Sequence, residues 1–259
     1  MKNPRSILIT GASGGIGAAL ARAYAGPGVA LALVSRNADR LERVAEPCRR
    51  AGAEVRTAQL DVAEAEPLQA WIEAIDRSRP LDLVIANAGI TGGLAKDGSG
   101  ESPSDVRRMM SINFAGACNT IHPLIPAMRR RGRGQIALMS SIAAHRGLPY
   151  SPAYCASKAA LRAYGEALGA WLRPQGVDVS VILPGFVDTH LSGHVSGPKP
   201  LQLTPERAAR IVVRGLARRR ARIAFPLLLD IGMRILGALP PALVDPALNA
   251  VRVDIRRYE

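Results

Sequence analysis

Cysteine, histidine and aromatic side chains are all scarce in this chain of 259 residues. The three cysteines, Cys48, Cys118 and Cys155, are odd in number and have no C-x-x-C spacing, which argues against a disulfide framework or a structural zinc site. Of the four histidines, His190 and His194 stand four apart, but no Glu follows the first and no third ligand is evident. No metal is therefore expected. Aromatic residues make up only 4% of the chain and no nucleic-acid-binding module is recognisable, so base stacking has little to work with and no nucleic-acid partner is expected. The opening "MKNPRSILIT" lacks a long apolar run and a small-residue cleavage site, which points to the cytoplasm. Solenoid repeats and a Pro/Gly/Ser-rich linker are also lacking, so one domain over 1–259 is the expectation.

Acidic charge is the last shortage. Lys and Arg number 34 against 21 Asp and Glu, a formal net charge of +13. Arginines concentrate in "RRRGRG" (129–134) and "RRRARI" (218–223). Such a field attracts phosphate-bearing cofactors, acidic carriers or anionic membrane. The preferred reading of each run is a solvated helix end, where cations complement the C-terminal dipole. With 48% hydrophobic and 21% charged residues, the composition is that of a globular protein with enough apolar side chains for a sizeable core.

What is present is alternation. Apolar strand-like runs occur at 6–10, 29–35, 54–61, 81–89, 134–141, 177–185 and 221–225, separated by amphipathic or alanine-rich stretches such as "GIGAALARAYA". That pattern predicts βαβ units, hence an α/β, doubly wound Rossmann fold with a parallel sheet of about seven strands and helices on both faces. Two glycine-rich stretches, 90–103 and 189–203, are longer than usual connections. The second is a candidate substrate loop, and it leads into "TPER", with Thr204 as N-cap and Pro205 at the first helical position.

Directly after the first strand comes "TGASGGIG" (10–17), with Gly11, Gly15 and Gly17 in a G-x-x-x-G-x-G pattern. Small residues there allow a tight turn and close backbone approach to a pyrophosphate, while the helix start offers unpaired N–H groups. The second strand ends "LVSRN". Ser35 takes the place where a carboxylate would meet ribose hydroxyls, and Arg36 follows it, so a 2′-phosphate is clamped rather than repelled. The predicted cofactor is NADP(H). In "YCASK" (154–158), Tyr154 and Lys158 stand one helical turn apart and share a face.

With "TGASGGIG", "NAG" (87–89), Asn113 in "SINFAG", "SS" (140–141), "YCASK" and "PGFVDT" (184–189) in this order, the sequence resembles the short-chain dehydrogenase/reductase family as far as about residue 190. The resemblance implies that Tyr154 is a general acid and base and that Lys158 binds nicotinamide ribose and lowers the tyrosine pKa. It implies that Ser141, with Ser140 as the fallback, binds the substrate oxygen, and that the main chain of Asn113 holds a relay water. Ser13 and Ile16 join the glycines around the phosphates. Asn87, Ala88 and Gly89 would line the adenosine side, and Asp61 and Val62 the adenine, with an ordinary strand-end role for Asp61 left open. Pro184, Gly185, Val187 and Thr189 would border the nicotinamide.

The chain departs from the shorter family members after residue 226. The segment 227–259 is expected to form a helical extension, resembling a subgroup that uses such helices for association or membrane contact. Within 227–237, Asp230 and Arg234 are expected to pair at i,i+4, and burial or a subunit interface is preferred to a membrane surface. A homodimer or homotetramer is the expected assembly. Leu148, Pro149, Tyr150, Phe186, Leu191 and Val195 suggest a moderately apolar pocket, with His145 and Arg146 exposed beside it. The expected activity is interconversion of a carbonyl and a secondary alcohol. The alternatives are a carrier-linked 3-oxoacyl thioester reductase and a non-catalytic NADP-sensing binding protein.

Overall fold

A computed structural model describes residues 4–94, 100–250 and 254–255. Parts of two expected features, the stretch 95–99 of the first long loop and 251–253 and 256–259 of the extension, lie outside the described residues.

Seven parallel strands form the sheet: β1 (Ser6–Thr10), β2 (Ala30–Ser35), β3 (Glu54–Gln59), β4 (Leu83–Ala86), β5 (Gly134–Met139), β6 (Val177–Pro184) and, after a two-residue β7 (Val195–Ser196) outside it, β8 (Arg222–Phe225). Their order is β3-β2-β1-β4-β5-β6-β8. Parallel strands covered on both faces must be apolar on both, and SILIT in β1 is buried throughout. Ile7 and Ile9 enter one core with α1 (Gly15–Tyr24), α2 (Ala38–Arg50) and α9 (Pro205–Ala217). Leu8 points the other way, into a core with α3 (Ala65–Ser78) and α7 (Pro152–Leu172). That alternation is the two-residue period of a strand written onto two helical layers.

Strand order reverses between β1 and β4, and in such sheets the crevice outside the strand C-termini at that point is the binding site. Across it runs a helical stretch of α4 (Pro103–Met110), a π-turn (Ser111–Ala115), α5 (Gly116–Ile121) and, after a 3-10 turn at His122–Leu124, α6 (Ile125–Arg131). The loop after β6 carries the short α8 (His190–Gly193), and Thr204 caps α9 by accepting from the Arg207 N–H at 3.2 Å.

The extension is helical over α10 (Leu227–Ala238) and α11 (Pro241–Ala250), then returns as a two-residue strand β9 (Asp254–Ile255), antiparallel to β7. The expectation of helix throughout is thereby corrected. The Asp230–Arg234 pairing is corrected too. Asp230 is 2% exposed and turns inward to His145 and Arg222, because a carboxylate on the packed face of α10 has to find its cations in the core it faces.

Candidate functional site

A cleft of about 660 Å³ opens outside the C-terminal ends of β1, β4, β5 and β6. At one end Gly11, Ser13, Gly15 and Ile16 line it, between β1 and α1. Gly15 has φ +52°, and a Cβ there would sit 2.9 Å from Thr189 Cγ2, so the loop tolerates no side chain. Gly17 lies behind the lining. A Cβ on it would overlap the Gly11 carbonyl oxygen, so this glycine sets how closely α1 packs on its own loop. Asn87 holds the same turn from across the sheet by donating from Nδ2 to the carbonyls of Thr10 (3.0 Å) and Gly11 (3.2 Å). Thr10 Oγ1 in turn accepts from the N–H groups of Asn87 and Ala88 at 3.1 and 3.3 Å. A glycine-rich backbone cradle beside a helix start fits a pyrophosphate.

Ser35, Arg36, Asp61 and Val62 line the next part of the cleft, with Arg40 beside them. Ser35 Oγ donates to Ser13 Oγ at 2.7 Å, linking the end of β2 to the glycine loop. Asp61 borders the cleft, and its Oδ1 accepts from the Ala63 N–H at 2.9 Å, a strand-end turn. Its other oxygen lies 3.7 Å from Arg36 Nη1. Arg40 escaped the sequence reading, although its place one helical turn beyond Arg36 was the available signal.

The same cleft is lined by Ser141, Tyr154 and Lys158, with Ala88, Gly89, Pro184, Gly185, Val187 and Thr189. Lys158 is 4% exposed and its Nζ donates to the Met139 carbonyl at 2.9 Å, with the Tyr154 ring centroid 5.7 Å away. Burial pulls its pKa down to about 8. Burial pushes Tyr154 up to about 12, with a hydrogen bond to Ser141 acting in the opposite direction. The expected lowering of the tyrosine pKa by Lys158 is thus reversed, because desolvation of the phenolate outweighs what favours it. Ser141 caps the 3-10 turn Ile142–His145, its Oγ accepting from the Ala143 N–H at 3.2 Å. Ser140 also lines the cleft, but its Oγ is engaged in donating to the Lys158 carbonyl at 2.7 Å, whereas Ser141 meets Tyr154.

Asn113 does not line the cleft. It sits in the π-turn, fully buried, and its side chain clamps residue 90 from both sides, accepting from the Ile90 N–H (2.8 Å) and donating to its carbonyl (3.0 Å) and to Ser157 Oγ (3.0 Å). The π-turn shifts main-chain carbonyls out of the regular ladder at this residue, while the side chain ties β4 to α7.

His145 and Arg146, expected to be exposed, are instead anchors for α10. The His145 side chain is 3% exposed; its Nδ1 lies 3.1 Å from an Arg162 donor of α7, and its Nε2 lies 2.8 Å from both Asp230 Oδ1 and Arg222 Nη2. Arg222 of β8 adds a donor to the same carboxylate oxygen at 3.1 Å. Burial lowers the His145 pKa, the hydrogen bond to Asp230 opposing it. Arg146 closes the end of α10 by donating to the carbonyls of Leu236 (3.2 Å) and Leu239 (2.9 Å) and to Asp245 of α11 (2.8 Å). Through these contacts Leu229 and Met233 of α10, Leu248 of α11 and Ile255 of β9 become a wall of the cleft.

Comparison with known proteins agrees with this geometry. The profile of the short chain dehydrogenase family matches residues 5–199. An uncharacterized oxidoreductase of Myxococcus xanthus is 36% identical over 250 residues, covering 96% of this chain and 98% of that protein. The 11-beta-hydroxysteroid dehydrogenase-like 3 protein of Arabidopsis thaliana is 34% identical over 255 residues, covering 96% and 81%. Among solved structures, an alcohol dehydrogenase from the archaeon Thermococcus sibiricus, complexed with 5-hydroxy-NADP, matches with a TM-score of 0.74 at 31% identity, covering 85% of this chain and 94% of that one.

Proposed function

The chain belongs to the short-chain dehydrogenase family of NAD(P)-dependent oxidoreductases acting on CH–OH and C=O groups, and on that premise we propose that it reduces a bulky, moderately apolar ketone with NADPH, Tyr154 serving as the general acid. The observation that carries this reading is that Ser141, Tyr154 and Lys158 line the same cleft as the glycine cradle. A bound nicotinamide would supply or accept the hydride. Tyr154, whose pKa burial raises to about 12, is a donor that carries its proton at neutral pH until an alkoxide develops beside it. Ser141 adds a second hydrogen-bond donor to the same oxygen. Lys158, positioned from below by the Met139 carbonyl, contributes positive charge that steadies the tyrosinate once the proton has left.

NADP(H) is preferred to NAD(H) on the strength of two arginines, Arg36 and Arg40, and an uncharged Ser35 at the adenosine end. Gly11, Gly15, Ile16 and Ser13 would hold the pyrophosphate, and Thr189, Val187, Gly185 and Pro184 the nicotinamide end. For the substrate, Leu148, Phe186 and Leu191 line the cleft together with Ile142 and with the extension's Leu229 and Met233, which pack in one cluster. Outward, Leu227, Leu228 and Ile235 of α10 are 66%, 73% and 56% exposed, which supports association of this face with a second copy.

One observation weighs against the carrier-linked alternative. The two arginine runs meet at the N-terminal ends of β5, β6 and β8, where Gln135 donates to the Leu216 carbonyl (3.0 Å) and Arg219 pairs with Asp178 (3.1 Å). The length of β6, eight residues or roughly 25 Å, separates them from the cleft, so an acidic carrier docked there faces the wrong end.

The test is the initial rate of NADPH consumption over ketones, aldehydes, quinones and 3-oxoacyl thioesters, with Tyr154→Phe alongside. A ketone preference and roughly a thousandfold loss in the variant is the expected outcome. NADPH binding without turnover on any carbonyl would instead favour the non-catalytic binding protein.

A further inference from the structure

Beside the cleft lies a second cavity of about 500 Å³, and Ala143, Leu148 and Leu248 line both. Leu148 follows the serine turn and Leu248 comes from α11, so the shared wall is made of one alanine and two leucines from segments 100 residues apart in sequence. On the cleft side, among the described residues, Lys158 is the one lysine, arginine or carboxylate that lines the substrate end. On the far side, the charges of Arg146 and Asp245 answer each other at 2.8 Å. The second cavity is open to solvent, with Pro149, Pro152, Ala156 and Asn249 of its lining exposed, so a group that crossed the Leu148–Leu248 wall would leave the cleft for a half-polar surface groove.

The geometry points to an elongated, mainly apolar carbonyl substrate whose far end passes over the Leu148–Leu248 wall into the second cavity, making Leu248 the residue that sets substrate length. This inference rests on the reductase reading and adds the substrate class and its length determinant. Arg146 is a positioning residue here. It fixes the end of α10 and the side of α11 together, and through them the height of the Leu248 ledge. The extension is then part of the substrate site, which explains why its inner face is apolar as well as its outer one.

The experiment measures kcat and KM for straight-chain 2-ketones of increasing length at saturating NADPH. Beside it, calorimetry measures binding of the matching secondary alcohols to NADP-loaded protein. Wild type is compared with Leu248→Trp, Leu248→Ala and, as a control on the same helix, Leu243→Ala, whose side chain is 70% exposed. The expected result is a gain of about fourfold in affinity per added methylene that continues to long chains in wild type. Leu248→Trp should end the gain early, lowering the long-to-short ratio of kcat/KM at least tenfold, mostly through KM, while Leu248→Ala raises that ratio. A ratio unmoved by either substitution, or moved equally by Leu243→Ala, overturns the inference. If no ketone turns over, the reductase reading fails separately. Alcohol affinities that climb with length and stop early in Leu248→Trp would still sustain the site, and length-independent affinities would sink it.

Discussion

The two ends of the cleft are built by different means. At the adenosine and phosphate end the chain's own backbone is the device: Gly15 is in a left-handed conformation, Gly17 leaves room for the Gly11 carbonyl, and Asn87 and Thr10 bind main-chain atoms across two strands. At the substrate end the wall is held by side chains reaching over long stretches of sequence, His145 to Asp230 and Arg146 to Asp245. Backbone devices dictate residue type at one spacing and admit few substitutes. Side-chain latches can be moved, lengthened or replaced without touching the sheet, so this end can change its substrate while the other keeps its cofactor.

Cutting the latch should give the largest separation between the two ends. Asp230→Ala removes the carboxylate that His145 and Arg222 share and leaves buried donors facing a void, a loss of roughly 3–5 kcal/mol in unfolding free energy. Arg162 Nε and Arg222 Nε are already buried without partners, so the network positions the wall more than it stabilises the fold. Chemical denaturation reads the stability. Ketone KM should rise at least tenfold, whereas the NADPH dissociation constant, measured by fluorescence, should move less than threefold. Equal losses at both ends would show that the two are one mechanical unit.

Lys158 lies where the ends meet, and its pH dependence sharpens the comparison. Its folded pKa is about 8 against an unfolded value of 10.5. Between those values the unfolded chain holds more protons, so this group's contribution to stability rises with pH from 8 to 10.5, by at most roughly 3 kcal/mol. Tyr154, raised from 10.0 to about 12, works in the opposite sense above pH 10, as do the raised thiols of Cys48, Cys118 and Cys155 from pH 9. Wild type minus Lys158→Met isolates the lysine. That difference, from urea midpoints at pH 7.5, 8.5 and 9.5, should grow with pH, and a flat difference would mean that the lysine is solvated rather than buried.

The same division decides what was legible in the sequence. Strand runs announced the sheet because both faces are buried, and Gly11, Gly15, Gly17, Tyr154 and Lys158 could be placed because a turn or a helix fixes their spacing. Asp230 was assigned to Arg234 because helical periodicity sees only neighbours at i,i+4. Its partners His145 and Arg222 are 85 and 8 residues away, on other elements of the fold and at separations that helical periodicity does not encode. For the same reason the pairing of β7 with β9 and the wall made by Leu229, Met233 and Leu248 were invisible. The tyrosine pKa was misjudged because spacing reports which charges are near but not how little water is.

The smallest effect belongs to the cofactor end and concerns side chains, not backbone. Arg36 is 44% exposed at its side chain and lies 3.7 Å from Asp61 Oδ2, so it meets a 2′-phosphate in partly screened surroundings and in competition with a carboxylate. A charge-assisted hydrogen bond in such a setting is worth about 1.5–3 kcal/mol, and exposure argues for the lower figure. Arg36→Gln should therefore weaken NADPH about tenfold, less at high salt, and leave NADH binding within about twofold. Adding Arg40→Gln should weaken NADPH further and still spare NADH, since neither substitution touches the glycine cradle. If NADH falls in parallel with NADPH, the arginines hold the shape of the adenosine end instead of reading its phosphate, and the NADP preference then has to lie in the backbone that the two ends of the cleft do not share.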